Sequence, residues 1–329
     1  MVFSNLVTQA LQEQTVGQEY AVAALTRAVT LAMAAMRRPG DVPVVLLFIG
    51  PAGSSKTHTA RVLARILTGS ERTITYINCQ RLDQTDPFAG LDAILASGFS
   101  PSESSIVPAP TNFNVVVFEE IDKAPLSFRD GLALAIDLGA ISTPGGAFSL
   151  RNSFVILISE LSRKKADQLV GRTIGFFLDG ESGIETSRRQ VVALEEVDAR
   201  LGPRLVSRID EIVVFDRLNE QHIVTLLERQ LAALEQYLAG FCIGFIVEQT
   251  AKTFLLKEGL ADLNHGARQI TRVVRNYVQF PLADLMLSRR LVPGTTVALK
   301  YEPPKAFLNF EILIPDFRSA LPLARAQSA

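Results

Sequence analysis

The densest chemistry in the chain lies in Gly50-Pro51-Ala52-Gly53-Ser54-Ser55-Lys56-Thr57. It follows the spacing G-x-x-x-x-G-K-[ST] except at Ser55, where the pattern has glycine. Such a loop turns successive backbone N–H groups toward one point at the positive end of a helix, and so cradles phosphate. Lys56 would reach the β- and γ-phosphates, and Thr57 would hold Mg²⁺. If position 55 needs a positive φ, serine there costs roughly 1–2 kcal/mol. Further along, Val115-Val116-Val117-Phe118 runs into Glu119-Glu120. Paired acids at a strand end can divide the work: the first supports a metal ion's shell, the second takes a proton from water. The usual first acid is aspartate, and the extra methylene of Glu119 could move a metal by roughly 1 Å. The competing readings are a glycine-rich turn without ligand and a solvated strand edge.

Positioning these groups demands buried strands that end beside one another. Val42–Ile49 has no polar alternation and reads as a strand covered on both faces, directly before the loop. Thr57–Leu67 resumes a helical period. Similar strands are expected at Thr73–Asn78, Asn114–Phe118, Phe154–Ser159 and Glu211–Phe215. Strands separated by helical stretches predict an α/β fold, a parallel sheet between helices. Upstream, Leu6, Ala10 and Leu11 have helical spacing, and Ala21–Met36 is a second apolar helix. After Phe215 the pattern changes to helices at Asn219–Ala239, Val247–Glu258 and Ala267–Arg289, closed by a short strand at Thr296–Tyr301. The expected organisation is a nucleotide-binding domain over 1–216, a mostly helical domain over 217–303 and a Pro-rich tail over 304–329.

Five segments in order carry a resemblance: Val16-Gly17-Gln18, the phosphate loop, Val115–Ala124, Arg208–Phe215 and Gly266-Ala267-Arg268. Together they resemble the C-terminal AAA+ module of Clp-type unfoldases and disaggregases, over roughly Leu6 to Tyr301, as a single stand-alone module. The resemblance implies an AAA+ P-loop domain followed by a helical AAA+ lid, ATP/ADP and Mg²⁺ as cofactors, and a hexameric ring of identical subunits acting on protein partners. By position it puts Val16 and Gly17 against adenine. Lys56 and Glu120 become catalytic, Thr57 and Glu119 metal-supporting. Arg208 matches the arginine finger that reaches a neighbour's γ-phosphate, worth about 10³–10⁵ in rate in other nucleotidases. Arg268 matches the second-sensor arginine. Surface ion pairing is the plainer alternative for both arginines.

The resemblance decays at the first sensor. Glu160, after Phe154–Ser159, stands where an asparagine amide should donate, and a carboxylate only accepts. Ser159 is the substitute one position earlier. With Ser55 and Glu119, three nucleotide-handling positions are altered, so retained binding with slow, switched or near-zero hydrolysis is expected. Phe99 is the aromatic candidate for a substrate-gripping pore loop, against a plain surface loop. Ile174-Gly175-Phe176 resembles the loop by which some Clp unfoldases dock on a peptidase ring, against a buried Ile/Phe pair.

Composition narrows the classes. At 329 residues about two domains are expected. Hydrophobic residues at 48% and charged residues at 20% exclude a disordered chain. The net charge of −1 leaves no basic excess for nucleic acid, so a DNA-associated regulator is the weakest rival. Two cysteines, Cys79 and Cys242, and scattered histidines, His58, His222 and His265, give no zinc spacing. The start, MVFSNLVTQALQEQ, lacks a signal-peptide pattern, and no apolar stretch reaches a membrane span, so a cytoplasmic protein is expected. The main alternative to an ATP-driven remodeller is a nucleotide-gated scaffold with little hydrolysis.

Overall fold

A computed structural model of the chain describes residues 2–34, 41–69, 74–98, 113–160, 197, 199–262, 265–303 and 307–313. The chain divides into two compact units, Met1–Arg217 and Leu218–Ala329. Phe99 and Ile174-Gly175-Phe176 lie outside the described residues.

In the first unit, helices α1 (Val2–Gln14) and α2 (Glu19–Met33) precede strand β1 (Val44–Ile49), helix α3 (Lys56–Thr68) and strand β2 (Ile74–Asn78). Helix α4 (Leu91–Gly98), strand β3 (Asn114–Glu119) and helix α5 (Leu126–Leu138) follow. A hairpin of β4 (Ala140–Thr143) and β5 (Gly146–Ser149) leads to β6 (Ser153–Ser159). The unit closes with a short helix, α6 (Pro203–Val206), and β7 (Glu211–Val214).

Five of these strands form one sheet in the order β2-β3-β6-β1-β7, parallel throughout. The uniform hydrophobicity of the strands has a direct cause. In β1, Val45, Leu47 and Ile49 enter one core with α5, while Val44, Leu46 and Phe48 enter the other with α2 and α3. With both faces covered, alternation has nothing polar to point at water. The chain leaves β1 toward β2 and β3, then returns past it through β6 to β7. β1 is therefore where the strand order reverses, and the crevice beyond its carboxyl end is where open parallel sheets bind ligands. Gly50–Thr57 fills that place.

The second unit contains α7 (Glu220–Ala239), β8 (Gly244–Val247), α8 (Gln249–Leu260), α9 (Gly266–Val274), α10 (Phe280–Leu287), β9 (Thr296–Lys300) and β10 (Asn309–Leu313). Two expectations are corrected here. The third helical stretch is not continuous: a π-helical segment, Arg275–Gln279, separates α9 from α10. Pro281 explains it, since proline lacks an N–H and its ring clashes with the carbonyl four residues back; widening the turn relieves both. Nor is everything after 304 a tail. β10 pairs antiparallel with β9, which also pairs parallel with β8, so a three-stranded sheet accompanies the helices. No described helix is long and apolar enough to cross a membrane.

Candidate functional site

The loop after β1 is built by backbone constraints. Gly50 has φ +150°, and a Cβ there would lie 2.4 Å from the Phe215 carbonyl oxygen, so the loop leaves β1 hard against the end of β7. Gly53 and Ser55 both have positive φ, 73° and 74°. Position 55 does require the left-handed region, and serine bears the strain expected of it. Ser55 caps α3, whose first residue is Lys56, so the free N–H groups of the helix start face the loop. Lys56 is 6% exposed, and its Nζ donates to the carbonyls of Gly50 at 2.8 Å and Pro51 at 2.7 Å. A buried ammonium that reaches the loop carbonyls stands where an anion in the loop would meet it.

The acids of β3 come to the same place. Thr57 Oγ1 donates to Glu119 Oε1 at 2.9 Å, so the longer side chain still reaches the helix start. Glu120 adopts φ 56°, ψ 43°, which turns its carboxylate out of the strand direction. Among the described residues of the first unit, Ser55 and Glu120 are the only non-glycines with positive φ, and both belong to this cluster. Such strain, about 1–3 kcal/mol each, concentrates at functional sites. Lys123 Nζ pairs with Glu120 Oε1 at 3.0 Å, while Glu120 Oε2 is buried without a hydrogen-bond partner among the described residues. The Glu120 hydrogen bond raises the Lys123 pKa, with smaller contributions from Glu160 and Asp122.

Beneath the acids, Ser159 Oγ donates to Asp122 Oδ1 at 2.7 Å, and Arg200 pairs with Asp122 Oδ2 at 3.6 Å. Ser159 is 1% exposed, and Asp122 accepts its hydroxyl hydrogen. Cys79 adjoins this group: burial pushes its thiol pKa far up, and Asp122, Glu119 and Glu120 add to the effect.

Between α1 and α2, Val16 is buried and Gly17 has φ 65°. Gln18 fixes them. Its side-chain amide donates to the Asp216 carbonyl and accepts from the Asp216 N–H, both at 2.9 Å, tying the start of α2 to the chain after β7.

Family comparison matches these elements. The AAA domain (Cdc48 subfamily) matches residues 42–212, and the C-terminal D2-small domain of ClpB protein matches 218–299. The chain belongs to the Clp-type AAA+ family. Similar relatives of this AAA+ module include the chloroplastic chaperone protein ClpD of Arabidopsis thaliana, 29% identical over 301 residues, covering 90% of this chain and 32% of the relative. Chaperone protein ClpB of Pseudomonas putida is 25% identical over 296 residues, covering 89% and 33%. The module thus spans about one third of the length of these curated relatives. Among solved structures, the closed-state reconstruction of Hsp104 with ATPγS and FITC casein aligns with a TM-score of 0.70 at 22% identity. It covers 94% of this chain and 52% of that one, and shares the fold.

Within this AAA+ module, the structure gathers Gly50, Pro51, Lys56, Thr57, Glu119 and Glu120 into one cluster. Arg208 is not in it: its partners are Asp137 on α5 and Arg204 and Ser207 beside it. Arg268 belongs to α9 of the second unit. The histidines serve local structure. His58 contacts the Gln14 carbonyl, His222 completes a capping box with Asn219, and His265 pairs with Asp262. Sequence reasoning gave no individual role to Gln18, Asp122 and Lys123, which lie inside quoted motifs, and did not single out Asp137 or Arg200. Lys123 was signalled by its place one helical turn after Glu120. Asp137 had no local signal, because its partner is 71 positions away.

Proposed function

We propose that this module binds ATP at Gly50–Thr57, hydrolyses it slowly and, as a ring of identical subunits, remodels protein partners. The observation that carries the reading is the Thr57–Glu119 contact at 2.9 Å, which joins the phosphate loop to the acid pair. Both partners are hard oxygen donors of the kind Mg²⁺ takes in ones and twos, completing its shell with water and phosphate. They fit the ion, and no cluster of three or more His, Cys, Asp or Glu competes for it among the described residues. When bound, Mg²⁺ neutralises charge on the β- and γ-oxygens.

The chain's own residues divide the remaining work. The N–H groups opening α3 receive phosphate oxygens, and Lys56 exchanges loop carbonyls for the β- and γ-phosphates. Glu120 takes the proton of the attacking water through the oxygen that Lys123 does not hold. Val16 and Gly17 lie against adenine, held by Gln18. Arg208 acts in trans on a neighbour's γ-phosphate, and Arg268 keeps the role its motif implies. The Arg208 side of the subunit also exposes Leu134 and Leu138, each 58% accessible on α5, as a surface meant to be covered by another copy would. Docking on a peptidase ring through Ile174-Gly175-Phe176 and a cytoplasmic setting complete the reading; the two free thiols agree with the latter.

A second reading is favoured by the first-sensor position. Glu160 offers only acceptors beside the cluster, so the module would be a nucleotide-gated scaffold that assembles without useful turnover. Steady-state turnover of the parent and Glu120→Gln decides between them. The enzyme reading expects a fall of about 10²-fold or more in the variant with binding intact. Equal background rates would leave the scaffold.

A further inference from the structure

Arg208 stands at a groove of about 420 Å³ between α5 and α6, lined by Asp130, Leu134, Asp137 and Arg204 among others. A guanidinium has five N–H groups. Here Nε–H is shared between both Asp137 oxygens at 3.0 and 3.2 Å, and Nη2 donates to Asp137 Oδ2 at 2.7 Å. Nη1 donates to the Arg204 carbonyl at 2.6 Å and to Ser207 Oγ at 2.7 Å. Those bonds engage four of the five N–H groups within Arg208's own subunit. Arginine recognises phosphate best through two parallel N–H bonds. In this arrangement only one Nη2 hydrogen is left, so Arg208 cannot fork onto a phosphate without letting go of an internal partner.

We propose that Asp137 is a positioning residue that latches Arg208 against its own subunit and releases it to a phosphate presented by a neighbouring copy. The proposal rests on the reading of Arg208 as the residue acting in trans. The strength of the contact suits a latch. Arg208 and Asp137 are 32% and 45% exposed, and half-exposed ion pairs are individually weak, whereas a nucleotide phosphate carries more charge and accepts more bonds. Competition therefore opens the latch, at a threshold that Asp137 sets. Titration does not open it near neutrality: the Arg208 hydrogen bond lowers the Asp137 pKa, and the Asp137 hydrogen bond raises that of Arg208. The neighbouring Arg204–Asp130 pair, at 3.8 Å, is looser, and among the described residues Arg208 is the cation paired with Asp137.

The test is assembly of the full chain, followed by mass photometry across protein concentration with and without ATPγS. This readout works whether or not hydrolysis is fast. Asp137→Asn and Asp137→Ala should each lower the midpoint concentration for ATPγS-dependent assembly about two- to fivefold, the scale of a released exposed pair. Asp137→Glu, which keeps the charge, should return toward the parent. Arg208→Ala should lose the nucleotide response, and Asp137→Asn combined with Arg208→Ala should match Arg208→Ala. An unchanged or raised midpoint in Asp137→Asn and Asp137→Ala overturns the latch, as does a gain that survives removal of Arg208. A parent without any ATPγS response overturns the ring reading instead. An Arg208→Ala variant that responds like the parent removes Arg208 from its trans role.

Discussion

Ser55 and Glu120 carry the positive-φ backbones of the phosphate cluster, at 74° and 56°. A serine at φ 74° stands where glycine would be free of strain. Ser55→Gly should therefore stabilise the protein by about 0.5–1 kcal/mol, strain relief being partly offset by the freer unfolded chain. Denaturant midpoints check this, and a loss of stability would mean that the serine side chain does more than tolerate the turn. The identity of Glu120 was legible, but its left-handed backbone and its Lys123 partner were not, because strain and pairing depend on what surrounds the strand end. Cys79 gives a further check. Burial beside Asp122, Glu119 and Glu120 raises its thiol pKa and keeps it protonated, while Cys242 is exposed. Iodoacetamide at pH 8 should modify Cys242 alone in the native protein and both thiols after denaturation. For Asp137 the sign of the pH effect is set by its lowered pKa. Its stabilisation is present above the unfolded value and lost as pH falls through the folded one, below about pH 4. The ratio of Asp137→Asn to parent assembly midpoints should thus be the same at pH 6 and pH 8.

At the scale of elements, the parallel strands were readable because burial on both faces leaves an unmistakable apolar run, as in β1, β3 and β6. The β4–β5 hairpin was not. Its residues are mostly exposed or half-exposed and carry no hydrophobic pattern, and its turn is fixed by Asp92, which accepts from Thr143 and from Gly145 N. The helix interruption at Arg275–Gln279 was missed because its cause, Pro281, lies beyond the segment that it deforms. Order in the sheet likewise depends on contacts between distant segments. The close approach of Gly50 to Phe215 joins β1 to β7 and fixes where the phosphate loop begins. Gly50→Ala would place a methyl carbon inside a backbone oxygen's radius, and should cost about 1–3 kcal/mol. The same variant should weaken ATP binding more than Gly259→Ala, whose Cβ would meet only the flexible end of the Ile270 side chain in the second unit. Thermal melts and binding isotherms for the pair separate the two effects.

The chain carries an AAA+ module in two units, Met1–Arg217 and Leu218–Ala329. Its family was legible because five short motifs occur in order, each beside the element that the chemistry requires. The phosphate cluster was legible for the same reason: loop, helix start and acid pair are each contiguous in sequence. The Arg208–Asp137 pair was not, since it joins segments 71 positions apart. ATP binding at Gly50–Thr57 underlies every other role proposed for this module. Titration of the parent and Lys56→Ala with a fluorescent ATP analogue and Mg²⁺ tests it most directly. Saturable binding by the parent, weakened about tenfold or more in the variant as expected for loss of a buried charge-assisted contact, is the predicted result. Failure of the parent to bind at millimolar analogue, or equal binding by Lys56→Ala, would contradict it.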